Sequence, residues 1–183
     1  MPLFAPFEPH VRGRQSPGAT VRAATHADAA AVTTVAACRG PIPDGLTQRV
    51  AAWADEADRR LIVGELDGVV VGWGMVAVWP AHDDAPHGHY VSALTVAPEA
   101  RRRGVGDLML ADLVDWTWRS AAQIWSVVNA RNVASIVLHE RHGFGEVERG
   151  PSFAGITFDG GEGVLLRATR LPATRLPAAR GER

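Results

Sequence analysis

The sequence predicts a mixed α/β fold, and three observations support that prediction. Residues 60–65 and 69–79 are rich in strand-forming side chains and are joined by Leu66-Asp67-Gly68, and an Asp-Gly pair is a strong hairpin signal. Residues 89–128 are typical of a strand, a helix and a strand, an order that makes the two strands parallel with a right-handed crossover. A chain of 183 residues with 46% hydrophobic side chains suits one compact domain with flanking extensions.

Two extensions flank the predicted domain, which spans residues 18–168. Residues 1–17 carry four prolines without sustained periodicity, so we expect an extended N-terminal arm that either packs on the surface or is disordered. Residues 169–183 are predicted to be a flexible C-terminal tail. The motif ATRLP, which occurs at 168–172 and 173–177, offers too little apolar surface to hold that tail in place.

The first half of the domain is predicted to hold one strand and two helices before the hairpin. The strand covers residues 20–24, and Thr25 is a suitable N-cap for a helix that continues to Cys38 on alanine and valine. Two prolines in residues 39–44 end that helix. Apolar residues then recur at helical spacing over residues 46–58, which predicts a second helix.

The second half of the domain alternates strands with helices. A loop rich in Pro, His and Asp at residues 80–88 leads into it, and Gly143 suits the left-handed position that ends a helix. Strands are predicted at 89–96, 124–128, 144–148 and 163–168, and helices at 104–121 and 133–141.

Composition and charge exclude several classes of function. The formal net charge is −1, whereas broad nucleic-acid binding requires a basic face. All 19 basic residues are arginine, so lysine is not available as a catalytic base. The one cysteine, Cys38, cannot form an internal disulfide and has no cluster of metal ligands near it. No metal site is predicted.

A membrane location is not expected either. No apolar run approaches the roughly 20 residues that a helix needs to cross a bilayer. The N-terminus lacks the basic region followed by an apolar block that marks a secretory signal. We therefore expect a cytoplasmic enzyme or binding protein, with neither a membrane nor a nucleic acid among its partners.

The chain is organised around the stretch from Val91 to Ala111, which is typical of a strand, a turn and a helix. Pro98 ends the strand, because proline fixes φ and donates no ladder hydrogen bond. Gly104 and Gly106 follow three arginines and let backbone N–H groups at a helix N-terminus approach a ligand closely. Unpaired donors, the helix dipole and fixed positive charge together favour a phosphate or pyrophosphate.

A polar stripe on the following helix is a second candidate part of the site. Asn132, Ser135 and His139 are spaced i, i+3 and i+7, so they share one helix face. Beside a phosphate-binding turn, this face is a candidate cofactor wall. The alternative interpretation is an N-cap at Asn132 followed by a solvated serine and histidine.

Two motifs in these segments resemble the GNAT superfamily of N-acetyltransferases. The run Arg101-Arg102-Arg103-Gly104-Val105-Gly106 resembles the family's Arg/Gln-x-x-Gly-x-Gly/Ala signature for the acyl-CoA pyrophosphate. Residues 132–144 resemble its segment Asn-x-x-Ala-x-x-Leu-Tyr-x-x-x-Gly-Phe. The resemblance covers residues 18–168 and implies the GNAT fold, a central, mostly antiparallel sheet with one parallel, splayed strand pair and helices on both faces.

The resemblance also implies acetyl-CoA as the cosubstrate, bound in the splay between the strand ending at Val96 and the strand at 124–128. Backbone groups of residues 94–96 would pair with the pantetheine arm, and an N–H near Val96 would polarise the thioester carbonyl. The pyrophosphate would lie on the amides of residues 102–107. The implied cofactor-binding residues are Leu94, Thr95, Val96, Arg101, Arg102, Arg103, Gly104, Val105, Gly106, Asp107, Asn132, Ser135 and His139.

The expected general acid departs from the family pattern. His139 stands where the family commonly has the tyrosine that protonates the departing CoA thiolate. An imidazolium with a reference pKa of about 6.5 is a competent acid toward a thiolate, so His139 is predicted to take that role. It would then be partly deprotonated at neutral pH.

The general base departs from the pattern as well. Family members often use a glutamate on the strand that ends at Val96, but residues 89–93 hold no carboxylate. Tyr90, Ser92 and His89 are the nearest substitutes, and two histidines of the preceding loop could act through water. Those two are His82 and His87. Alternatively, the enzyme binds the neutral fraction of its amine.

These observations favour an N-acetyltransferase that transfers acetyl to a primary amine of a small molecule or peptide. Direct attack is expected, since no placed nucleophile is evident for an acyl-enzyme. The alternative is a non-catalytic module of the same fold that binds acyl-CoA or a partner, whereas a nicotinamide-binding domain is excluded because G-x-G-x-x-G is absent. Trp53, Trp73, Trp79 and the loop at 82–89 are candidates for an acceptor pocket, and a homodimer is compatible with the sequence.

Overall fold

The structure is a computed structural model that describes Phe4, Phe7 and residues 13–171. Within these residues the chain forms strands and helices in an alternating order. The strands are β1 (Ala19–Ala23), β2 (Arg59–Leu66), β3 (Val69–Trp79), β4 (Gly88–Val96), β5 (Gln123–Asn129), β6 (Gly145–Gly150), β7 (Ser152–Phe153), β8 (Ile156–Thr157) and β9 (Gly163–Thr169). The helices are α1 (Ala29–Ala37), α2 (Leu46–Trp53), α3 (Val105–Thr117) and α4 (Val133–Arg141).

Seven strands form one central sheet in the order β1-β2-β3-β4-β5-β9-β6. All neighbours in it are antiparallel except β4 and β5, which are parallel and are connected through α3. The predicted mixed fold, mostly antiparallel with one parallel pair, is confirmed. The parallel pair lies within the sheet rather than at its edge, so the space between β4 and β5 is flanked by further strands on both sides.

The β2–β3 hairpin forms as predicted from its turn residues. Asp67 and Gly68 have φ angles of 52° and 79°, so both central residues are left-handed, as a two-residue type I′ turn requires. A second hairpin, β7–β8, falls in a stretch that the sequence predicted to be a loop. Its turn is Ala154-Gly155, also with positive φ, and alanine at such a position is too unusual to signal a turn.

Two helices are shorter than predicted, for one shared reason. After Trp53 and after Thr117 the backbone continues in bonds between residues three apart, such as Glu56 N–H to the Trp53 carbonyl and Ser120 N–H to the Thr117 carbonyl. Such tightened turns satisfy the last carbonyls of a helix without extending it. Apolar periodicity does not distinguish them from helix.

The helices cover both faces of the sheet, as predicted. On one face α1 and α2 bury Val32 and Val50 against β2 and β3, and on the other α3 buries Met109, Leu110 and Leu113 completely. An ion pair adds to the attachment of α3, because the guanidinium of a β2 arginine donates two hydrogen bonds to a carboxylate of α3. These are Arg60 and Asp112, with N–O distances of 2.9 and 3.0 Å.

The first strand of the central sheet begins at Ala19 in β1 and the last ends at Thr169 in β9. The predicted flexible tail lies outside the described residues from position 172 on. The longest helix in the described part of the chain has 13 residues, and none of its helices is long and apolar enough to cross a membrane.

Candidate active site

A wedge-shaped gap opens in the middle of the central sheet. β4 and β5 pair only from His89 with Ile124 to Val91 with Ser126, and beyond that point β4 stays paired with β3 while β5 stays paired with β9. The divergence begins at Ser92, which is an extra residue in β4, because Val91 and Ala93 face consecutive residues of β3. Such a bulge bends a strand, and here it bends β4 away from β5.

The backbone of β4 presents hydrogen-bonding groups to this gap. The Ala97 N–H donates to the Val71 carbonyl at 2.8 Å, so Ala97 faces β3. Backbone direction alternates along a strand, which places Thr95 toward β3 as well and directs the groups of Leu94 and Val96 into the gap. Of the three predicted contact residues, Thr95 therefore has its backbone committed to the sheet.

The anion-binding turn, residues 101–106, lies where β4 leads into α3. Arg102 and Gly104 have left-handed φ angles of 65° and 85°. The first intrahelical hydrogen bond of α3 runs from the Leu108 N–H to the Gly104 carbonyl at 3.1 Å, and no side chain caps the helix. The N–H groups of residues 105–107 thus have no acceptor within the helix, which is the arrangement that binds anions at helix N-termini.

The two glycines of the turn have different roles. A Cβ at Gly104 would lie 2.8 Å from Cα of Gln15, which is too close. Residue 104 also has a left-handed backbone, which side chains disfavour, so the protein itself requires glycine there. A Cβ at Gly106 would lie 3.6 Å from the nearest atoms, which belong to Leu138 and Val96, an ordinary contact distance. Packing within the chain therefore does not require glycine at position 106.

The charges around the turn are arranged in two groups. The Arg101 side chain turns back, and its Nε donates to the Val96 carbonyl at 3.2 Å, so it closes the end of β4. Asp107 in the first turn of α3 lies 3.3 Å from both Arg141 and His142, at the end of α4. The Arg141 guanidinium offsets a carboxylate that would otherwise repel an anion at this helix end.

The start of α4 fits the capping interpretation. The Asn132 Oδ1 accepts a hydrogen bond from the Ser135 N–H at 3.3 Å, which makes Asn132 the N-cap. The structure also places α4 against the turn, since Leu138 is the neighbour that a side chain at Gly106 would meet. Asn132 shapes the helix whether or not it contacts a cofactor.

His139 lies in a different environment from the one the sequence suggested. The side chain is only 2% exposed, and its ring packs edge-on against Phe144 with 4.9 Å between centroids. The Nδ1 atom lies 2.8 Å from the Ser135 carbonyl, which can only accept, so Nδ1 carries the proton and Nε2 is a bare lone pair. Nε2 is buried without a partner among the described residues.

Burial also changes the charge of His139. Loss of solvation lowers the pKa of His139 to about 4, against a smaller raising effect of the hydrogen bond to the Ser135 carbonyl. The imidazole is therefore neutral at pH 7 in the free protein. The expected general acid was a partly protonated imidazole, which this lowered pKa does not match, and burial excludes the alternative of a solvated histidine. Periodicity places a residue on a face but does not reveal what covers it.

Tyr90 is held in a position that suits packing rather than proton transfer. The side chain is fully buried and stacks on Trp79 with 4.3 Å between ring centroids. Its hydroxyl donates to the Pro86 carbonyl at 2.8 Å. Burial, with a contribution from the Asp84 carboxylate, raises the pKa of Tyr90 to about 12. A phenol that is protonated and already donating is a poor base at neutral pH, so the structure does not support that role.

The other proposed base residues of β4 are also occupied. The Ser92 Oγ accepts from Trp79 Nε1 at 2.9 Å and donates to the Tyr90 carbonyl at 3.1 Å, so its proton is engaged away from any substrate. His89 lies at the closed end of the parallel pair and packs edge-on against Trp116 of α3. Burial lowers the pKa of His89, with a smaller contribution from His87.

The sequence did not predict a set of hydrogen bonds made by Asp84, which connects two segments at this end of the sheet. The Asp84 carboxylate accepts from the Ala154 N–H at 2.8 Å and from the Ser152 hydroxyl at 3.2 Å, and so ties the loop at 80–87 to the β7–β8 hairpin. Aromatic side chains fill the space beneath. They include Tyr90, Trp125, Phe153 and, at the edge, Trp79 and Phe158. No local pattern signals Asp84, because its partners lie about 70 residues away along the chain.

The three tryptophans that were candidates for an acceptor pocket serve mainly in packing. Trp73 is buried in the core beneath α1 and α2, and Trp79 stacks in the aromatic cluster. Trp53 lies in α2 under the guanidinium groups of Arg49 and Arg59. Among the described residues, no group of three or more His, Cys, Asp or Glu side chains is arranged to hold a metal.

Several solved structures share the fold of this chain. The yncA protein of Salmonella typhimurium, solved with its cofactor acetyl-CoA, is 23% identical, with 88% of this chain and 99% of that chain covered and a TM-score of 0.68. The phosphinothricin acetyltransferase of Sinorhizobium meliloti, in complex with acetyl-CoA, is 18% identical, covering 90% and 95%, with a TM-score of 0.67. The ribosomal-protein-S18-alanine N-acetyltransferase of Escherichia coli is 19% identical, covering 86% and 98%, with a TM-score of 0.65. At these identities the likeness shows the fold.

The sequence supplies the stronger evidence of kinship. Among curated proteins, no match to this chain is found. The sequence profile described as the acetyltransferase (GNAT) family matches residues 30–144, which is more than half of the chain. The matched region runs from α1 through the gap and the anion-binding turn to Phe144. The chain therefore belongs to the GNAT family of acetyltransferases.

Proposed function

We propose that this protein transfers the acetyl group of acetyl-CoA to a primary amine of a small molecule or peptide, by direct attack of the amine on the thioester. Its family makes the chain an acetyltransferase; the amine acceptor and the direct attack are the proposal. The observation that carries it is the gap between β4 and β5, which opens beside the uncapped N-terminus of α3. The gap suits the extended amide chain of acetyl-CoA, and the helix N-terminus beside it suits the diphosphate that follows that chain.

The residues present suit acetyl-CoA in its two parts. The backbone groups of Leu94 and the Val96 N–H face the gap, where the amides of a pantetheine chain could pair with them as an added strand does, while the Val96 carbonyl already accepts from Arg101. The diphosphate would take the N–H groups of residues 105–107, at the positive end of the α3 dipole. Asn132 and Ser135 would contribute through the placement of α4 rather than by a fixed contact.

The names of two similar structures support an amine acceptor, but they do not indicate which class of amine this protein uses. One is named as an alanine N-acetyltransferase of a ribosomal protein and another as a phosphinothricin acetyltransferase. We therefore keep both a peptide amine and a small-molecule amine as acceptor classes. A cytoplasmic location and a homodimer remain sequence-based predictions.

The proton balance of the reaction suggests a role for His139 that differs from a simple acid. The attacking amine must lose one proton and the departing sulfur must gain one. We propose that the Nε2 lone pair of neutral His139 takes the proton from the nitrogen and delivers it to the thiolate. One imidazole would then replace both the tyrosine acid and the carboxylate base that this chain lacks. The unprotonated Nε2, set by the bond from Nδ1 to the Ser135 carbonyl, supports this proposal.

The second candidate function is a non-catalytic module that binds acyl-CoA or a partner. It is favoured by the absence of a carboxylate in residues 89–93 and by the engaged hydroxyls of Tyr90 and Ser92. The two candidates share the cofactor site and differ in turnover. They are therefore separated by a measurement of chemistry rather than of binding.

The test is release of free CoA thiol from acetyl-CoA in the presence of a panel of amines, peptide N-termini and aminoglycosides. We expect at least one acceptor to accelerate thiol release well above the rate without protein, with the acetylated amine identified by mass spectrometry. A Gly106→Glu variant serves as the matched control, since the added carboxylate would occupy the anion site. Tight binding of acetyl-CoA without turnover for any acceptor would favour the binding module.

A further inference from the structure

Residues 13–16, the described part of the predicted N-terminal arm that adjoins β1, lie against the anion-binding turn. The Ser16 N–H donates to the Arg103 carbonyl at 3.0 Å. The backbone at Gly13 packs so closely on the turn that a Cβ there would lie 2.7 Å from the Arg102 carbonyl oxygen. Residues 13–16, called the arm segment below, therefore meet the turn through backbone atoms.

A third contact involves the glycine of the turn itself. The Cα of Gln15 lies 2.8 Å from the position that a Cβ at Gly104 would take. The arm segment thus touches three consecutive residues, 102–104, immediately before α3 begins. The glycine at 104 is required partly because the arm segment lies there.

These contacts fix the direction of two peptide groups. In a planar trans peptide the carbonyl and the following N–H point in opposite directions. The Arg102 and Arg103 carbonyls point toward the arm segment, so the N–H groups of Arg103 and Gly104 point away from it. This adds two N–H groups with a set direction just ahead of the N–H groups of residues 105–107.

The conformation held in this way is not one that the turn would adopt freely. Arg102 has a φ of 65°, and a left-handed backbone is unfavourable for a residue with a side chain. Such conformations persist where the surrounding structure determines them. The arm segment supplies part of that surrounding structure, since its contacts begin at the Arg102 carbonyl and end at Gly104.

We propose that the arm segment is a clamp that preorganises the anion-binding turn, so that its backbone N–H groups are held ready for the diphosphate of acetyl-CoA. The proposal rests on the proposed function, because it needs acetyl-CoA at this turn. Holding a binding loop in its bound conformation raises affinity by removing the cost of ordering it. The arm segment thereby becomes a positioning element of the cofactor site, although it lies outside the residues 30–144 matched by the family.

The test compares two changes at Ser16. Ser16→Pro removes the N–H that binds the Arg103 carbonyl, whereas Ser16→Ala keeps that N–H and serves as the matched control. We expect Ser16→Pro to raise the dissociation constant of acetyl-CoA about tenfold by calorimetry and Ser16→Ala to leave it within about twofold. Deletion of residues 1–15 provides a second variant, since it removes the contacts of Gly13 and Gln15 while β1 remains.

The choice of ligand separates a clamp from a purely structural arm. S-acetylpantetheine lacks the diphosphate, so its KM should be the same in the parental protein and in Ser16→Pro, while the KM for acetyl-CoA rises and kcat is unchanged. If the parental protein does not bind acetyl-CoA, the proposed function itself fails. If it binds, and both folded arm variants bind equally well with only a lower melting temperature, the clamp is refuted and the proposed function stands.

Discussion

The two halves of the site are built in different ways. The proposed cofactor half consists of backbone groups at the β4 edge and the α3 N-terminus, where secondary structure sets the direction of the N–H groups of Val96 and residues 105–107. The chemical half consists of side chains, and His139, Tyr90 and Ser92 are all engaged or buried. The difference shows that a backbone site depends on the path of the main chain, whereas a side-chain site depends on what packs around each side chain.

The largest expected effect is on acetyl-CoA affinity and tests the half of the site that is built from backbone groups. Gly106→Glu should lower acetyl-CoA affinity at least about 100-fold, because a carboxylate would occupy the anion site and like charges repel strongly there. Gly106→Ala should bind nearly as well as the parental protein, since a Cβ there meets only ordinary contacts. Calorimetry measures both, with thermal unfolding as the check on folding. Equal affinity for the Glu variant would remove this turn from the cofactor site.

The next effect concerns the side-chain half. His139→Phe keeps a ring of similar size against Phe144 but removes Nε2, so turnover should fall about 100-fold, the lower end for acid-base catalysis, with little change in acetyl-CoA affinity. Steady-state kinetics on a verified acceptor measures it. A Phe variant as fast as the parental protein would make His139 a packing residue.

The pH dependence distinguishes a neutral imidazole from an imidazolium acid. Because burial lowers the pKa of His139 to about 4, the ratio of parental to His139→Phe turnover should be constant between about pH 5.5 and 8.5. An imidazolium acid with the reference pKa of about 6.5 would make that ratio fall tenfold per unit at higher pH. The ratio cancels ionisation of the amine substrate, which affects both proteins equally.

The same lowered pKa of His139 predicts a change in stability. The unfolded chain binds a proton near pH 6.5 and the folded protein only near pH 4, so the unfolded state is favoured as pH falls through that window. Between pH 7 and 4.5 this contributes a loss of about 2 kcal/mol. Urea unfolding at both pH values should show a smaller loss in His139→Phe by about that amount. An identical loss in both proteins would mean that His139 titrates normally.

The smallest expected effect tests whether Tyr90 belongs to the chemistry. Tyr90→Phe keeps the stacking on Trp79 and removes the hydrogen bond to the Pro86 carbonyl, which should lower the free energy of unfolding by about 1 kcal/mol. Turnover at saturating substrates should stay within about twofold. If turnover instead falls as far as in His139→Phe, the tyrosine takes part in proton transfer despite its engaged hydroxyl.

Much of the fold was predictable because its signals are local. The Asp67-Gly68 turn, the Gly143 helix end and Gly104 of the anion-binding turn each follow from backbone angles that few residues adopt. The bulge at Ser92 was not predictable, since it depends on pairing with β3. The β7–β8 hairpin was missed because Ala154-Gly155 is an uncommon turn pair.

The anion-binding turn and the environment of His139 show the physical limit of prediction from the sequence. A helix N-terminus after a glycine turn leaves N–H groups without an intrahelical acceptor, so the turn together with its flanking strand and helix predicted an anion site, which stays a prediction. The charge of His139 depends on how deeply its ring is buried, and the contact of Ser16 with Arg103 joins segments about 90 residues apart. Periodicity contains no information about such neighbours, which only folding brings together.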